Sequence, residues 1–380
     1  MNQLCKLAAI PVLISSSLAA APFLSIGDNA ELFVTAKAGF RYEDNIFLTD
    51  NNKEDDFSFI VAPGLELVFG KNSLWKGTLS AAHTWTEYFD TPDIDSDLTT
   101  VNFITSYDGV RWKINANASY REIYQNSRDT RNVGNPTNQL VRRNITAAGV
   151  NAEYLLTVKT KLGAGVQYHD THYKTADYTD STDYSVPLNY YYGITEKVDL
   201  SAGIRYRHTD VDSASSSDRD DYYFNVGARG EFTPKLSGRA SIGYNLRTYD
   251  DSDLDDDSAL GASVGLTYAY SPKTQFTLDL DNDFGTASGG GGTETFHVAL
   301  GAQTQFTTEL SAGASASYES IDYSDNSRKD DFYVFALYGN YVINQYLNLT
   351  AAYNYQWNDS NISAADFKAN VVSLTLSFRY

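Results

Sequence analysis

The chain has 380 residues, with 29 lysines and arginines against 48 aspartates and glutamates, for a formal net charge of −19. This acidic balance argues against nucleic-acid binding, because few cations are available to neutralise phosphates, and it suits an anionic inner-leaflet surface poorly. The 29 tyrosines and the aromatic share of 14% favour β-strands packed on at least one face.

Residues 1–21 have the pattern of a secretory signal peptide. Lys6 supplies a positive start, residues 7–14 form an apolar core, and residues 15–21 are small. The alternative is a short buried helix. We therefore predict a signal peptide over 1–21 and a mature domain over 22–380. Cys5 is the only cysteine, so the mature chain has no disulfide.

Beyond this segment, apolar and polar residues alternate with a period of two over ten or more residues. In one stretch, Trp112, Ile114, Ala116, Ala118 and Tyr120 share one parity, and Arg111, Lys113, Asn115, Asn117, Ser119 and Arg121 share the other. Period two predicts a strand, and about ten residues suffice for a tilted strand to cross a bilayer. No apolar run is long enough for a transmembrane helix.

Short turns and long polar segments separate these stretches in strict alternation. The eight short turns lie at 70–73, 107–109, 157–159, 195–197, 233–235, 271–273, 306–308 and 344–346. The nine long segments are 43–55, 90–96, 125–140, 175–181, 211–219, 250–257, 286–293, 324–329 and 358–366. Seventeen connections predict an all-β, 18-stranded antiparallel transmembrane barrel with short periplasmic turns and longer acidic extracellular loops. Sixteen strands are the fallback, because 175–195 is the least regular stretch.

The first strand, near 32–42, is expected to pair with the last, near 367–380. In that last strand Phe378 and Tyr380 resemble the C-terminal assembly signal of outer-membrane barrels. Eighteen strands leave an interior that side chains alone cannot fill, so an aqueous channel is expected unless loops fold in. No segment has the length of a plug, and the loops are expected to stand in bulk solvent.

Several sequence features invite a chemical reading that their context does not support. The aspartates of 250–257 suggest calcium, but the spacing fails the EF-hand pattern, and a solvated acidic loop is the favoured alternative. His169 and His172 point to opposite faces if they lie on a strand. No Gly-x-Ser-x-Gly elbow occurs, and Gly289 to Gly292 is interpreted as a flexible tip. We therefore predict no enzymatic activity, no cofactor and no metal site.

The polar parity of the strands carries charges that should face the lumen. The candidates are Arg111, Lys113, Arg121, Arg205, Arg207, Arg239, Arg247, Glu66, Asp279, Asp281, Glu309 and Glu319. Rings of charged side chains set the ion selectivity of pores. Alternatively, these charges pair across strands and only stiffen the wall. The sequence leaves both readings open.

Residues 42–46, Tyr-Glu-Asp-Asn-Ile, resemble the Tyr-x-Asp-Asn-Ile opening of the putative beta-barrel porin 2 family. The hairpins that begin at Thr233-Pro234-Lys235 and Ser271-Pro272-Lys273 are similar to those of the same family. The resemblance covers nearly the whole mature chain. It implies an outer-membrane barrel of poorly defined cargo, with some relatives among exopolysaccharide export systems, and it transfers no catalytic residues.

Three functions follow as expectations. The first is a porin-like channel for hydrophilic solutes in the outer membrane of a Gram-negative bacterium. The second is an exopolysaccharide export barrel, and the third is a non-conducting structural or adhesive surface barrel. The expected partners are outer-membrane lipid, the barrel assembly machinery, and a small hydrophilic solute or a polysaccharide. Cargo, gating and oligomeric state stay undetermined.

Overall fold

The structure is a computed structural model that describes residues 21–130, 139–213, 216–251, 254–324 and 327–380. All but the last residue of the predicted signal peptide lie outside this part of the chain, as do residues 252–253 of the acidic loop considered for calcium.

Antiparallel strands of 13 to 16 residues account for almost all the regular structure, after one strand of three residues. They are β1 (Leu24–Ile26), β2 (Ala30–Glu43), β3 (Asp56–Phe69), β4 (Trp75–Tyr88), β5 (Ser96–Asp108), β6 (Trp112–Tyr124), β7 (Arg142–Thr157), β8 (Thr160–Tyr173), β9 (Ser181–Gly193), β10 (Val198–Val211), β11 (Arg219–Thr233), β12 (Leu236–Tyr249), β13 (Asp257–Ser271), β14 (Thr274–Thr286), β15 (Gly292–Gln305), β16 (Leu310–Tyr323), β17 (Lys329–Val342), β18 (Leu347–Ser360) and β19 (Phe367–Arg379). Within the described ranges, single 3₁₀ turns occur at Pro92–Ile94, Arg128–Thr130 and Ser363–Ala365. No helix among the described residues is both long and apolar enough to span a membrane.

The sheet closes on itself. Each strand from β2 to β18 pairs with the next one, and β19 pairs with β2 from Val371 opposite Glu43 to Arg379 opposite Thr35. The barrel therefore has 18 strands, which confirms the predicted count and removes the fallback of 16. Closure leaves no unpaired sheet edge, as backbone groups in hydrocarbon require. The short β1 pairs with the start of β2, just beyond the end of β19.

All eight predicted short turns lie at one end of the barrel, called here the turn end; the opposite end is the loop end. A side-chain oxygen closes most of these turns by accepting the backbone N–H groups two and three residues later, a local device of Ser, Thr and Asn. The residues that do so are Thr157, Thr195, Thr233, Ser271, Thr307 and Asn344. The similarity between the hairpins thus has a local chemical cause.

The outer face of the barrel is apolar, with aromatic residues near both ends. On β4 the exposed Trp75 and Trp85 point outward at the turn end and toward the loop end. Ten residues at about 3.3 Å each, tilted by about 40°, separate them by roughly 25 Å, the height of a membrane barrel's apolar band. Trp75 packs on Tyr107, with ring centroids 5.1 Å apart.

The Tyr-x-Asp-Asn-Ile motif lies at the seam between the first and last barrel strands. The Asp44 carboxylate accepts the backbone N–H and the side-chain amide of Asn370, both at 2.6 Å. The Asn45 amide donates to the Lys368 carbonyl at 2.9 Å and to the Thr49 carbonyl at 2.7 Å. The motif therefore ties the loop after β2 to β19, next to the closing pairing.

Candidate functional site

Three segments at the loop end fold toward the barrel axis instead of projecting outward. They are the first loop (44–55), the constriction segment (125–130) and the glycine segment (286–292). The expectation that the long loops stand in bulk solvent is wrong for these three. The physical reason is that apolar side chains, arginine side chains or backbone groups of each segment make buried contacts inside the barrel mouth.

The constriction segment crosses the lumen. It follows β6, and β6 stands eight strands from β16 in the ring of eighteen. From this position the Arg128 guanidinium donates to Glu319 of β16 at 2.6 Å and lies 5.3 Å from the ring centre of Phe332 of β17. Burial alone would lower the pKa of Arg128, but the adjacent carboxylates of Asp129 and Glu319 outweigh it and raise that pKa above its ordinary value.

Apolar contacts hold the first loop against the base of the constriction segment. Ile46 and Phe47 form a buried cluster with Tyr88, Ile94 and Leu140. The Asn126 amide also donates to the Phe47 carbonyl, at 3.1 Å. Removing these apolar side chains from water stabilises the position of the loop inside the barrel mouth.

The glycine segment is packed from Gly290 onward, so the interpretation of the whole run Gly289 to Gly292 as a flexible tip is wrong. Gly290, Gly291 and Gly292 are buried, and the Gly290 carbonyl accepts a hydrogen bond from Arg219 at 3.0 Å. Gly290 has φ of +91°, and a Cβ there would lie within 3.0 Å of Val211, Ser216 and Thr179, so only glycine fits. The Ser288 hydroxyl donates to the Asp129 carbonyl and joins this segment to the constriction segment.

The constriction segment, the start of the glycine segment and the barrel wall line a polar cavity of about 80 Å³. The constriction segment contributes Arg128 and Asp129, and the wall contributes Gln167, Tyr168, His169, Asp183, Ser185, Arg205, Arg207, Phe284, Gly285, Thr286, Thr293, Thr295, Glu319 and Ile321. Toward the turn end the interior widens into a vestibule of about 1070 Å³. The passage is thus broad at the turn end and narrow near the loop end.

Buried ion pairs reinforce the wall at the narrow level. Asp221, which is 1% exposed, accepts hydrogen bonds from Arg207 Nε at 2.8 Å and from Arg247 Nε at 2.6 Å. Asp283 accepts from Arg205 at 2.8 Å and lies 3.5 Å from Arg207. These side chains come from β10, β11, β12 and β14, so the network stiffens one side of the constriction.

The candidate lumen charges fall at different levels of the barrel. Arg205, Arg207 and Glu319 line the cavity, and Arg247 lies behind it. Lys113, Arg239 and Asp279 line the vestibule, and Glu66 pairs with Arg379 at 2.6 Å. Arg121 is half-buried on β6, and Asp281 is half-buried on β14 opposite His297 of β15. Arg111 and Glu309 lie in turns, where Arg111 contacts the Tyr154 hydroxyl at 3.4 Å and Glu309 accepts from Thr307 at 3.0 Å.

Sequence reasoning missed Arg128, Asp183, Ser185, Arg219, Asp221 and Asp283. Arg128 lies in a loop and Arg219 is the first residue of β11, where the alternation that assigns faces breaks down. The apolar residues of the first loop and of 140–141 were the available signal that these loops are buried. The two histidines do face opposite ways, since His169 lines the cavity whereas the exposed His172 pairs with Asp180.

Comparisons with known proteins agree with this architecture. The family model described as putative beta-barrel porin 2 matches residues 32–380. OccK2 (OpdF) of Pseudomonas aeruginosa is similar with a TM-score of 0.50 at 10% identity, over 92% of this chain and 97% of that chain. OccAB4 of Acinetobacter baumannii gives a TM-score of 0.47 at 13% identity, over 92% and 98%. The FrpB iron transporter (F3-3 variant) of Neisseria meningitidis gives 0.47 at 13%, over 87% and 62%. A search of curated protein sequences finds no match.

Replacing Asp221 with alanine tests the buried network. Asp221→Ala leaves Arg207 and Arg247 buried without their shared carboxylate, so the free energy of unfolding should fall by about 3–5 kcal/mol. The measurement is urea unfolding of the protein refolded in lipid vesicles. The control, Asp108→Ala, removes an exposed partner of Lys113 at 3.7 Å and should cost less than about 1 kcal/mol. Equal losses in the two variants would show that the network does not stabilise the wall.

Proposed function

We propose that this chain, which belongs to the putative beta-barrel porin 2 family, is a channel that lets small hydrophilic solutes cross the outer membrane. It is a porin-like outer-membrane β-barrel. The observation that carries the proposal is a polar interior, with a wide vestibule toward the turn end and a smaller cavity near the loop end that is lined by charges of both signs. Charged and polar groups that line such a passage favour hydrophilic solutes over apolar ones.

The proposed orientation places the loop end outside the cell and the turn end in the periplasm of a Gram-negative bacterium. Short periplasmic turns and longer external loops are the pattern of bacterial barrels. Under this proposal residues 1–21 direct export, and solutes meet the constriction before they reach the vestibule.

The charged constriction supports selectivity set by the wall and not by exposed loop charges. Arg205 and Arg207 line the cavity, whereas Asp250, Asp251, Asp255 and Asp256 are solvent-exposed. Exposed charges beyond about 8–10 Å are largely screened at physiological salt, but charges in a narrow passage act with less screening.

The double substitution Arg205→Gln/Arg207→Gln should shift the reversal potential toward cations, because Asp221 and Asp283 lose compensating charge. The cation-to-anion permeability ratio should rise severalfold in a planar bilayer under a salt gradient. Arg111→Gln, in an exposed turn, is the matched control and should change little, as should neutralising the four exposed aspartates. A larger effect of those aspartates would overturn selectivity by the wall.

The absence of catalysis is part of the proposal. Ser185, His169 and Asp183 line the same cavity, but neither Ser185 Oγ nor His169 Nδ1 has a hydrogen-bond partner among the described residues. A serine nucleophile needs a hydrogen-bonded base, and this pair lacks that contact.

Exopolysaccharide export and a purely structural or adhesive role are the alternatives. The constriction segment crosses the lumen to reach Glu319, so passage of a polymer would require that segment to leave the lumen. Channels that conduct only after that segment is removed would favour export. The absence of any conductance from folded protein would favour the structural role.

For assembly we propose that the barrel assembly machinery recognises Phe378 and Tyr380. The backbone of Tyr380 exchanges two hydrogen bonds with Val34, at 2.7 and 2.9 Å, so deleting the segment would also damage the seam. Substituting Phe378→Ala/Tyr380→Ala keeps those bonds. The substituted protein should refold in detergent with normal heat-modifiable gel migration, yet at least tenfold less should reach the outer membrane in cells. Normal levels in the membrane would refute the proposal, and Phe276→Ala on the outer face of β14 is the control.

A further inference from the structure

We propose that the cavity at the constriction is a binding site for small solutes without net charge that carry both hydrogen-bond donors and acceptors. This inference rests on the proposed channel function and names its substrate class. Four properties of the cavity support it: unpartnered buried polar atoms, balanced charge, mixed hydrogen-bonding capacity and size.

Three residues that line the cavity each have a buried polar atom without a protein partner. His169 and Ser185 are 5% and 7% exposed, and both line it. His169 Nδ1, Ser185 Oγ and Arg205 Nε have no hydrogen-bond partner within the described ranges. Buried polar atoms in proteins are almost always paired, and leaving one unpaired costs free energy. Three such atoms around one cavity are suited to receive a polar solute.

The charges around the cavity cancel. Its lining carries Arg128, Arg205 and Arg207 against Asp129, Asp183 and Glu319, which gives three positive and three negative groups and a formal sum of zero. The layer behind adds two arginines and two aspartates, namely Arg219, Arg247, Asp221 and Asp283. An ion entering this site would lose its hydration without meeting a net opposite charge. A solute of zero net charge avoids that penalty.

The available groups both donate and accept. Arg205 Nε can only donate, whereas the Ser185 hydroxyl can do either. One oxygen of the Asp183 carboxylate accepts from the Thr209 hydroxyl at 2.6 Å, and the other can accept from a solute. A solute with both donors and acceptors can therefore bond to all of these groups. A carboxylate ion, which only accepts, cannot.

The cavity is also small. About 80 Å³ holds several water molecules, at roughly 10–15 Å³ of such space each. Solutes of four or five non-hydrogen atoms fit this space, and urea and zwitterionic glycine are suitable probes of the class. Acetate has a similar size and a net negative charge, and methylammonium is smaller and has a net positive charge.

The test is uptake of radiolabelled probes into liposomes that contain the full-length mature barrel. Urea and glycine should enter severalfold faster than acetate and methylammonium, and their uptake should saturate. Ser185→Ala should raise the half-saturating concentration about three- to tenfold, the factor expected for one lost neutral hydrogen bond. Ser201→Ala is the matched control, because Ser201 lies on β10 outside the cavity lining, and it should leave that concentration unchanged.

The outcomes separate the site from the channel. Three results would overturn the binding site: faster entry of acetate or methylammonium, uptake that does not saturate, or equal effects of Ser185→Ala and Ser201→Ala. If the same barrels still conduct ions, the channel function stands. No uptake and no conductance from folded barrels would overturn both. Ser185→Val, which fills the cavity, should abolish the saturable uptake, and heat-modifiable gel migration verifies that each variant folds.

Discussion

Backbone hydrogen bonding in hydrocarbon is the constraint on which the rest of this structure depends. An unpaired N–H or C=O in the bilayer core costs several kcal/mol, so the sheet must close. Here closure joins β19 to β2, and the short β1 pairs with the part of β2 that β19 does not reach. Closure fixes which parity faces lipid, and the polar parity then faces an interior that eighteen strands make too wide for side chains alone to fill.

The wide interior explains why loops enter it. A loop that folds inward loses conformational entropy, and buried contacts must compensate for that loss. The first loop provides apolar contacts through Ile46 and Phe47, and the constriction segment provides an ion pair between Arg128 and Glu319. The buried glycines of the glycine segment have no side chains, so the backbone there can approach Arg219. Each segment is therefore held in the lumen by a different kind of contact. Together with the wall they separate a vestibule from a small charged cavity.

The fold could be predicted from the sequence because its causes are local. Alternation assigns faces, and turn residues such as Thr233 act on N–H groups two and three positions away. The constriction depends on contacts between residues far apart in sequence, such as Arg128 with Glu319, which are 191 positions apart. Alternation put Arg205 and Arg207 on the inward parity but could not place them at the narrow level. It also offered no reason to separate them from Arg111, which lies in a turn.

A cross-link between the constriction segment and the opposite wall tests the central claim most directly. The only cysteine of the chain is Cys5, so the two cysteines of the Arg128→Cys/Glu319→Cys variant can be joined selectively by a short bis-maleimide in the mature barrel. The single-channel conductance of the linked barrel is then compared with that of the unmodified chain. If the segment already crosses the lumen, the link should form in high yield and the linked channel should conduct as the unmodified one does. A link that does not form, or one that cuts the conductance to a small fraction, would show that the segment normally lies outside the lumen.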